Sequence, residues 1–212
     1  RKRSASANSC PQDQDQHRHP SLKDRGMNAA APIRFALVGN PNCGKTALFN
    51  RLTGARAKVA NYAGVTVEKR SGPLTGLGRE AELIDLPGTY SLFVTSPDEQ
   101  VTRNVLLGKM QGEMPPDVLI AVVDATNLRL GLRLVLELQQ LGRPMILALN
   151  LADAAQQRGI EIDTQKLSQQ IGMPVVQTIA IRRNGVADLL QQLQQQAELR
   201  ELLLVDEDLH LV

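Results

Sequence analysis

The string Gly39-Asn40-Pro41-Asn42-Cys43-Gly44-Lys45-Thr46 sets two glycines, an ammonium group and a hydroxyl in the order G-x-x-x-x-G-K-[ST]. Glycines at those places let main-chain N–H groups turn inward around phosphate oxygens, and a helix starting at the end of the loop adds positive potential. Lys45 brings a full charge to the outer phosphates, and Thr46 offers a hydroxyl to Mg2+. The candidate nucleotide contacts in this stretch are Gly39, Asn40, Pro41, Asn42, Cys43, Gly44, Lys45, Thr46 and Ala47. ATPases, kinases and GTPases share such a loop, so it points to a triphosphate without naming a base or a reaction.

Further along, Asp85-Leu86-Pro87-Gly88 has the D-x-x-G form, in which the carboxylate meets the magnesium shell and the glycine N–H meets the terminal phosphate. Between the two motifs, Gly54 to Lys69 is rich in small residues and reads as a mobile loop leading into a strand. Within it, Thr66 is the candidate whose hydroxyl joins Mg2+, and whose N–H touches the γ-phosphate, only when GTP is bound. Lys45, Thr66 and Gly88 are thus expected around the transferred phosphoryl group, with Thr46, Thr66 and Asp85 as the Mg2+ set. Thr89 follows Gly88 where many small GTPases carry a water-orienting glutamine, so slow intrinsic hydrolysis is expected.

The base is read elsewhere. Asn150-Leu151-Ala152-Asp153 matches N-x-x-D after an apolar strand, and Asp153 can accept from both the ring N–H and the exocyclic amine of guanine. Adenine would leave that carboxylate without donors, at a cost of about 1–3 kcal/mol or more, so GTP is preferred over ATP. Leu151 stands where the commoner form has lysine, which predicts weak affinity and fast exchange. The last base-contacting loop, Thr178 to Gly185, lacks a clear Ser-Ala pair; Ala180 and Ile181 are the base neighbours read from it.

These motifs need rigid elements beneath them. Short apolar runs alternate with helical stretches, the signature of a mostly parallel sheet with helices on both faces. Strands are expected at Ile33 to Val38, Ala81 to Ile84, Val118 to Val123, Pro144 to Leu149 and Pro174 to Val176. Helices are expected from Lys45 to Leu52, from Leu130 to Leu141 and from Val186 to Leu203. The fold class is therefore α/β, a P-loop NTPase with a Ras-like G domain and a six- or seven-stranded sheet. Residues 1–31 are polar, aperiodic and expected to be disordered; His17 and His19 fall there, and Met27 is a candidate natural start. The domain is expected over 32–203, with 204–212 as the start of a further helical segment.

Composition narrows the function. A net charge of +2 and an aromatic content of 2% without Trp disfavour a nucleic-acid surface. No apolar run reaches membrane-spanning length, so no direct membrane insertion is expected of this polypeptide. The two cysteines, Cys10 and Cys43, form neither a disulfide framework nor a metal spacing, which suits a reducing compartment.

Three strings, Gly39 to Thr46, Asn61-Tyr-Ala-Gly-Val-Thr-Val-Glu-Lys69 and Asp85-Leu-Pro-Gly-Thr-Tyr-Ser-Leu92, together resemble the G domain of the ferrous iron transport protein B family. The resemblance spans about Ile33 to Leu203 and implies a cytosolic domain on a polytopic bacterial inner-membrane importer of Fe2+. The membrane permease part is the implied partner, alongside guanine nucleotide; self-association is left open. Resemblance to potassium-stimulated GTPases implies that Asn42 helps hold K+, which places it in the catalytic set. Two alternatives stand beside this reading: a regulatory module in which occupancy alone matters, and an RNA-associated ribosome-assembly type GTPase.

Overall fold

The computed structural model describes residues 32–209, with side chains described to residue 200. The expected disorder of 1–31, with His17 and His19, lies outside the described residues. Strand β1 (Ile33–Gly39) is followed by α1 (Lys45–Thr53), β2 (Lys58–Asn61), β3 (Glu68–Pro73) and β4 (Ala81–Asp85). Then come α2 (Pro97–Leu106), β5 (Val118–Asp124), α3 (Leu128–Gln139) and β6 (Met145–Asn150). The last elements are α4 (Ala152–Gln157), α5 (Thr164–Ile171), β7 (Val175–Gln177) and α6 (Ala187–Leu209).

The seven strands lie in the order β2-β3-β4-β1-β5-β6-β7. β4, β1, β5, β6 and β7 pair in parallel, while β2 and β3 are antiparallel at one edge. β5 and β6 are apolar up to their last residues because both of their faces are covered. Phe35 and Leu37 of β1 face Leu48, Phe49 and Leu52 of α1 and Leu189, Leu193 and Ala197 of α6. Their neighbours Ala36 and Val38 point the other way, into a layer with Val101 and Val105 of α2 and Leu134, Val135 and Leu138 of α3.

Register brings the motifs to one edge. Leu37 pairs with Asp85, Gly39 with Val122 and Asp124 with Asn150, so the loops after β1, β4 and β6 all leave the sheet at its carboxyl end. Open α/β sheets bind ligands at that edge.

Several elements differ from the sequence reading. α2 is capped by Ser96, whose hydroxyl accepts from the Glu99 N–H, with Pro97 and two acids in the first turn. The four residues of β2 are all exposed, so that strand has no apolar pattern to reveal it. α6 passes the expected end at Leu203 without a break and runs to Leu209.

Candidate functional site

The phosphate loop is shaped by close approaches. A Cβ on Gly39 would lie 2.3 Å from the Val122 carbonyl oxygen, and one on Gly44 would lie 2.2 Å from Asn150 Nδ2. Gly44 also has φ 86°, so only glycine fits there without strain. α1 starts directly after it with no side-chain cap, which leaves the first-turn N–H groups free of a side-chain acceptor. Lys45 is buried, with Nζ 3.9 Å from Asp85 Oδ1, and Thr46 Oγ1 donates to Asp85 Oδ2 at 3.3 Å. Asp85 Oδ1 is buried without a hydrogen-bond partner. Burial pushes the Asp85 carboxyl above the usual range, while Lys45 and the Thr46 hydroxyl pull it back down.

Around this centre, Asn40 is buried with neither amide atom partnered, and Pro41 and Asn42 are exposed on the rim, Asn42 at φ 64°. Cys43 is buried and its thiol is held protonated by desolvation. Pro41 closes on Gly88, whose added Cβ would meet it at 3.1 Å. A cleft of about 460 Å³ opens here between Lys45, Thr46, Asp85, Gly88, Val67 and Glu68, with Arg70 and Asp98 on its walls. The free carboxylate oxygen and the neighbouring hydroxyl are hard oxygen donors of the kind that Mg2+ takes.

Asn150 links this end to the base end. Its Nδ2 donates to the Cys43 carbonyl at 3.0 Å, and its Oδ1 accepts from Thr178 Oγ1 at 3.2 Å and from Ala180 N at 3.3 Å. Its amide therefore braces the phosphate loop against the last loop. Leu151 sits at φ 60° as the residue before α4, and Asp153 follows in the first turn. Asp153 Oδ1 accepts from Ala154 N at 3.0 Å, and Oδ2 lies 3.8 Å from Arg182 Nη2. Ala180 is buried, with its N–H on Asn150, whereas Ile181 is 75% exposed. The carbonyls of both residues face Arg51 of α1.

The segment opposite the phosphate loop is built differently. Thr66 is exposed in the turn between β2 and β3 and does not line the cleft. Tyr62, 2% exposed, is the buried residue of this turn; it inserts into the α2–α3 layer, and its N–H bonds the Val67 carbonyl at 3.0 Å. Its hydroxyl has no partner, and burial, then Glu113 and Asp85, push its pKa up.

After Gly88, Thr89 is fully buried, its hydroxyl 2.6 Å from the Ser91 carbonyl and 3.3 Å from Glu99 Oε1. Glu99 also accepts from Thr95 Oγ1 at 2.7 Å and Thr95 N at 2.9 Å, which holds its carboxyl below the usual range. Glu99, Arg51 and Arg182 were not singled out as site residues by motif. Only Glu99 had a local signal, as the third residue after a Ser cap in a capping box.

Parallel strands ending in G-x-x-x-x-G-K-T, D-x-x-G and N-x-x-D define a P-loop NTPase of the G-domain class. The family described as ferrous iron transport protein B matches residues 33–193, and the chain belongs to that family. The Fe(2+) transporter FeoB of Salmonella typhimurium is 46% identical over 161 residues, covering 74% of this chain and 20% of the relative. The chain thus spans one fifth of the length of such curated relatives. The cytosolic domain of L. pneumophila FeoB superposes with a TM-score of 0.71 at 42% identity, over 77% of this chain and 68% of that one. A mutant of S. thermophilus NFeoB bound to GDP gives 0.69 at 41% identity, over 76% and 59%.

Proposed function

We propose that this domain binds guanine nucleotide with Mg2+ and hydrolyses GTP slowly, and that in a longer transporter its nucleotide state governs passage of ferrous iron. The observation that carries the reading is the meeting of three things at one sheet edge: the uncapped start of α1, the buried Lys45 ammonium, and an Asp85 carboxylate with an unpaired oxygen. Amides and an ammonium suit a polyphosphate; the carboxylate and Thr46 suit its metal. Mg2+, when bound, offsets negative charge on the outer phosphates.

Gly39 to Ala47 form the phosphate cradle in this reading, with Lys45 neutralising the outer phosphates and the Gly88 N–H reaching the terminal one. Thr66 closes on the metal and the γ-phosphate when GTP is present. Asn42, exposed on the rim, would help hold K+ against charge developing between the β- and γ-phosphates, as an arginine finger does elsewhere. Equal GTPase rates in KCl and NaCl would remove that element. The burial of Thr89, with its hydroxyl engaged by Ser91 and Glu99, supports slow turnover, because that side chain is turned away from an attacking water. Asp153 selects guanine, with Asn150 and Ala180 beneath the base and Ile181 at its margin.

GDP on the S. thermophilus relative supports the choice of base, and family membership supports the transport role. The RNA-associated alternative is not favoured by that membership. The membrane permease portion is the proposed partner, and the cytosolic face of the bacterial inner membrane the proposed location. Among the described residues, no helix is long and apolar enough to cross a membrane. Calorimetric titration with GTP, GDP and ATP in Mg2+ tests the core of the proposal. GTP and GDP should bind, with ATP about a hundredfold weaker or more; equal affinity for ATP would overturn it.

A further inference from the structure

We infer that Arg51 is a positioning residue for base recognition, clamping the loop that carries Ala180 and Ile181 onto the helix that begins at the phosphate loop. The inference rests on the nucleotide-binding reading above. Arg51 lies in the last turn of α1, and its guanidinium makes two hydrogen bonds to successive carbonyls: Nε to Ala180 at 3.0 Å and Nη2 to Ile181 at 2.9 Å. A planar fork of donors meets two acceptors at once, which a single ammonium point charge cannot reproduce.

The other bonds of this loop are largely internal. The loop is closed on itself by Ile179 N–H to the Gly185 carbonyl at 2.8 Å and by Arg182 N–H to the Ile179 carbonyl at 2.9 Å. Gly185 has no room for a side chain, since an added Cβ would fall 2.0 Å from the Ile179 carbonyl oxygen. On the inner side, Ala180 is tied to the rest of the site through its N–H to Asn150 at 3.3 Å, the longest of these bonds. Asn150 in turn reaches the start of α1 through the Cys43 carbonyl, while Arg51 holds the far end of the same helix. The two ties fix both the N–H and the carbonyl of Ala180, and so orient the peptide that packs on Asn150. Loss of the outer tie leaves that peptide free to rotate away, and the base loses its fixed neighbour first.

The test uses the whole chain, its Arg51→Ala and Arg51→Lys variants, and mant-GDP followed by stopped flow, with mant-IDP and mant-ADP for comparison. Arg51→Ala should release mant-GDP about five- to tenfold faster and narrow the preference for GDP over IDP, which lacks the exocyclic amine. KM for GTP should rise by more than kcat falls. Arg51→Lys, able to satisfy one carbonyl, should lie between the wild type and Arg51→Ala, and it carries the test if Arg51→Ala does not fold. A merely stabilising surface contact would lower Tm and leave release and base preference as in the wild type; that result overturns the inference while leaving the nucleotide site in place. A wild-type chain that binds mant-ADP as well as mant-GDP would sink the base-site reading, and Arg51's role with it.

Discussion

The phosphate loop and the turn that faces it across the cleft are held by opposite kinds of contact. Gly39 and Gly44 leave no space for a side chain, and Lys45 is buried beside Asp85, so close packing shapes this loop. The turn Ala63 to Thr66 is exposed, and among its flanking residues Tyr62 supplies the buried anchor. A preformed surface stores affinity, because little ordering remains to be done on binding; a loosely held segment stores information, because a small energy difference between ligands moves it. The contrast implies that nucleotide retention and nucleotide discrimination by state reside in different residues.

Removing the charge at the rigid end should have the largest effect. Lys45→Ala is expected to weaken GDP and GTP binding about a hundredfold or more, measured by calorimetry, because a buried ammonium and its charge-assisted contacts are lost together. Next comes Asp153→Asn, which swaps an acceptor for a donor: guanine nucleotide affinity should fall about tenfold to a hundredfold, and xanthine nucleotide should gain. At the exposed turn, Thr66→Ala should slow GTP hydrolysis about tenfold while leaving GDP affinity within about twofold, a split visible by comparing phosphate release with GDP titration. A matching loss of GDP affinity there would erase the contrast between the two regions. The smallest effect is expected at Arg182→Gln, which frees Asp153 from a long, exposed ion pair and should tighten GDP about two- to threefold.

The same contrast explains what the sequence could reveal. Gly39, Gly44, Lys45, Asp85 and Gly88 were legible because each answers a main-chain or charge requirement that few residue types meet. The apolar strands were legible because both their faces are covered. β2 was not, since an exposed edge strand leaves no alternation to read. α2 carried a Ser-Pro-Asp-Glu start, yet its sparse apolar residues hid the rest. The stop at Leu203 failed for want of any Gly, Asn or Pro there, and α6 continues accordingly. Arg51 and its carbonyl partners are far apart in the chain, a contact that no local pattern encodes. Ile181 is read only from the chain position of its loop, and its exposure follows no local pattern.

Amide hydrogen exchange across the chain, with GDP and with a non-hydrolysable GTP analogue in Mg2+, tests the division of labour most directly. Both nucleotides should protect Asn42 to Thr46, and only the triphosphate should add protection at Ala63 to Val67. Equal protection of Ala63 to Val67 by both nucleotides, or none at Asn42 to Thr46, would contradict the account.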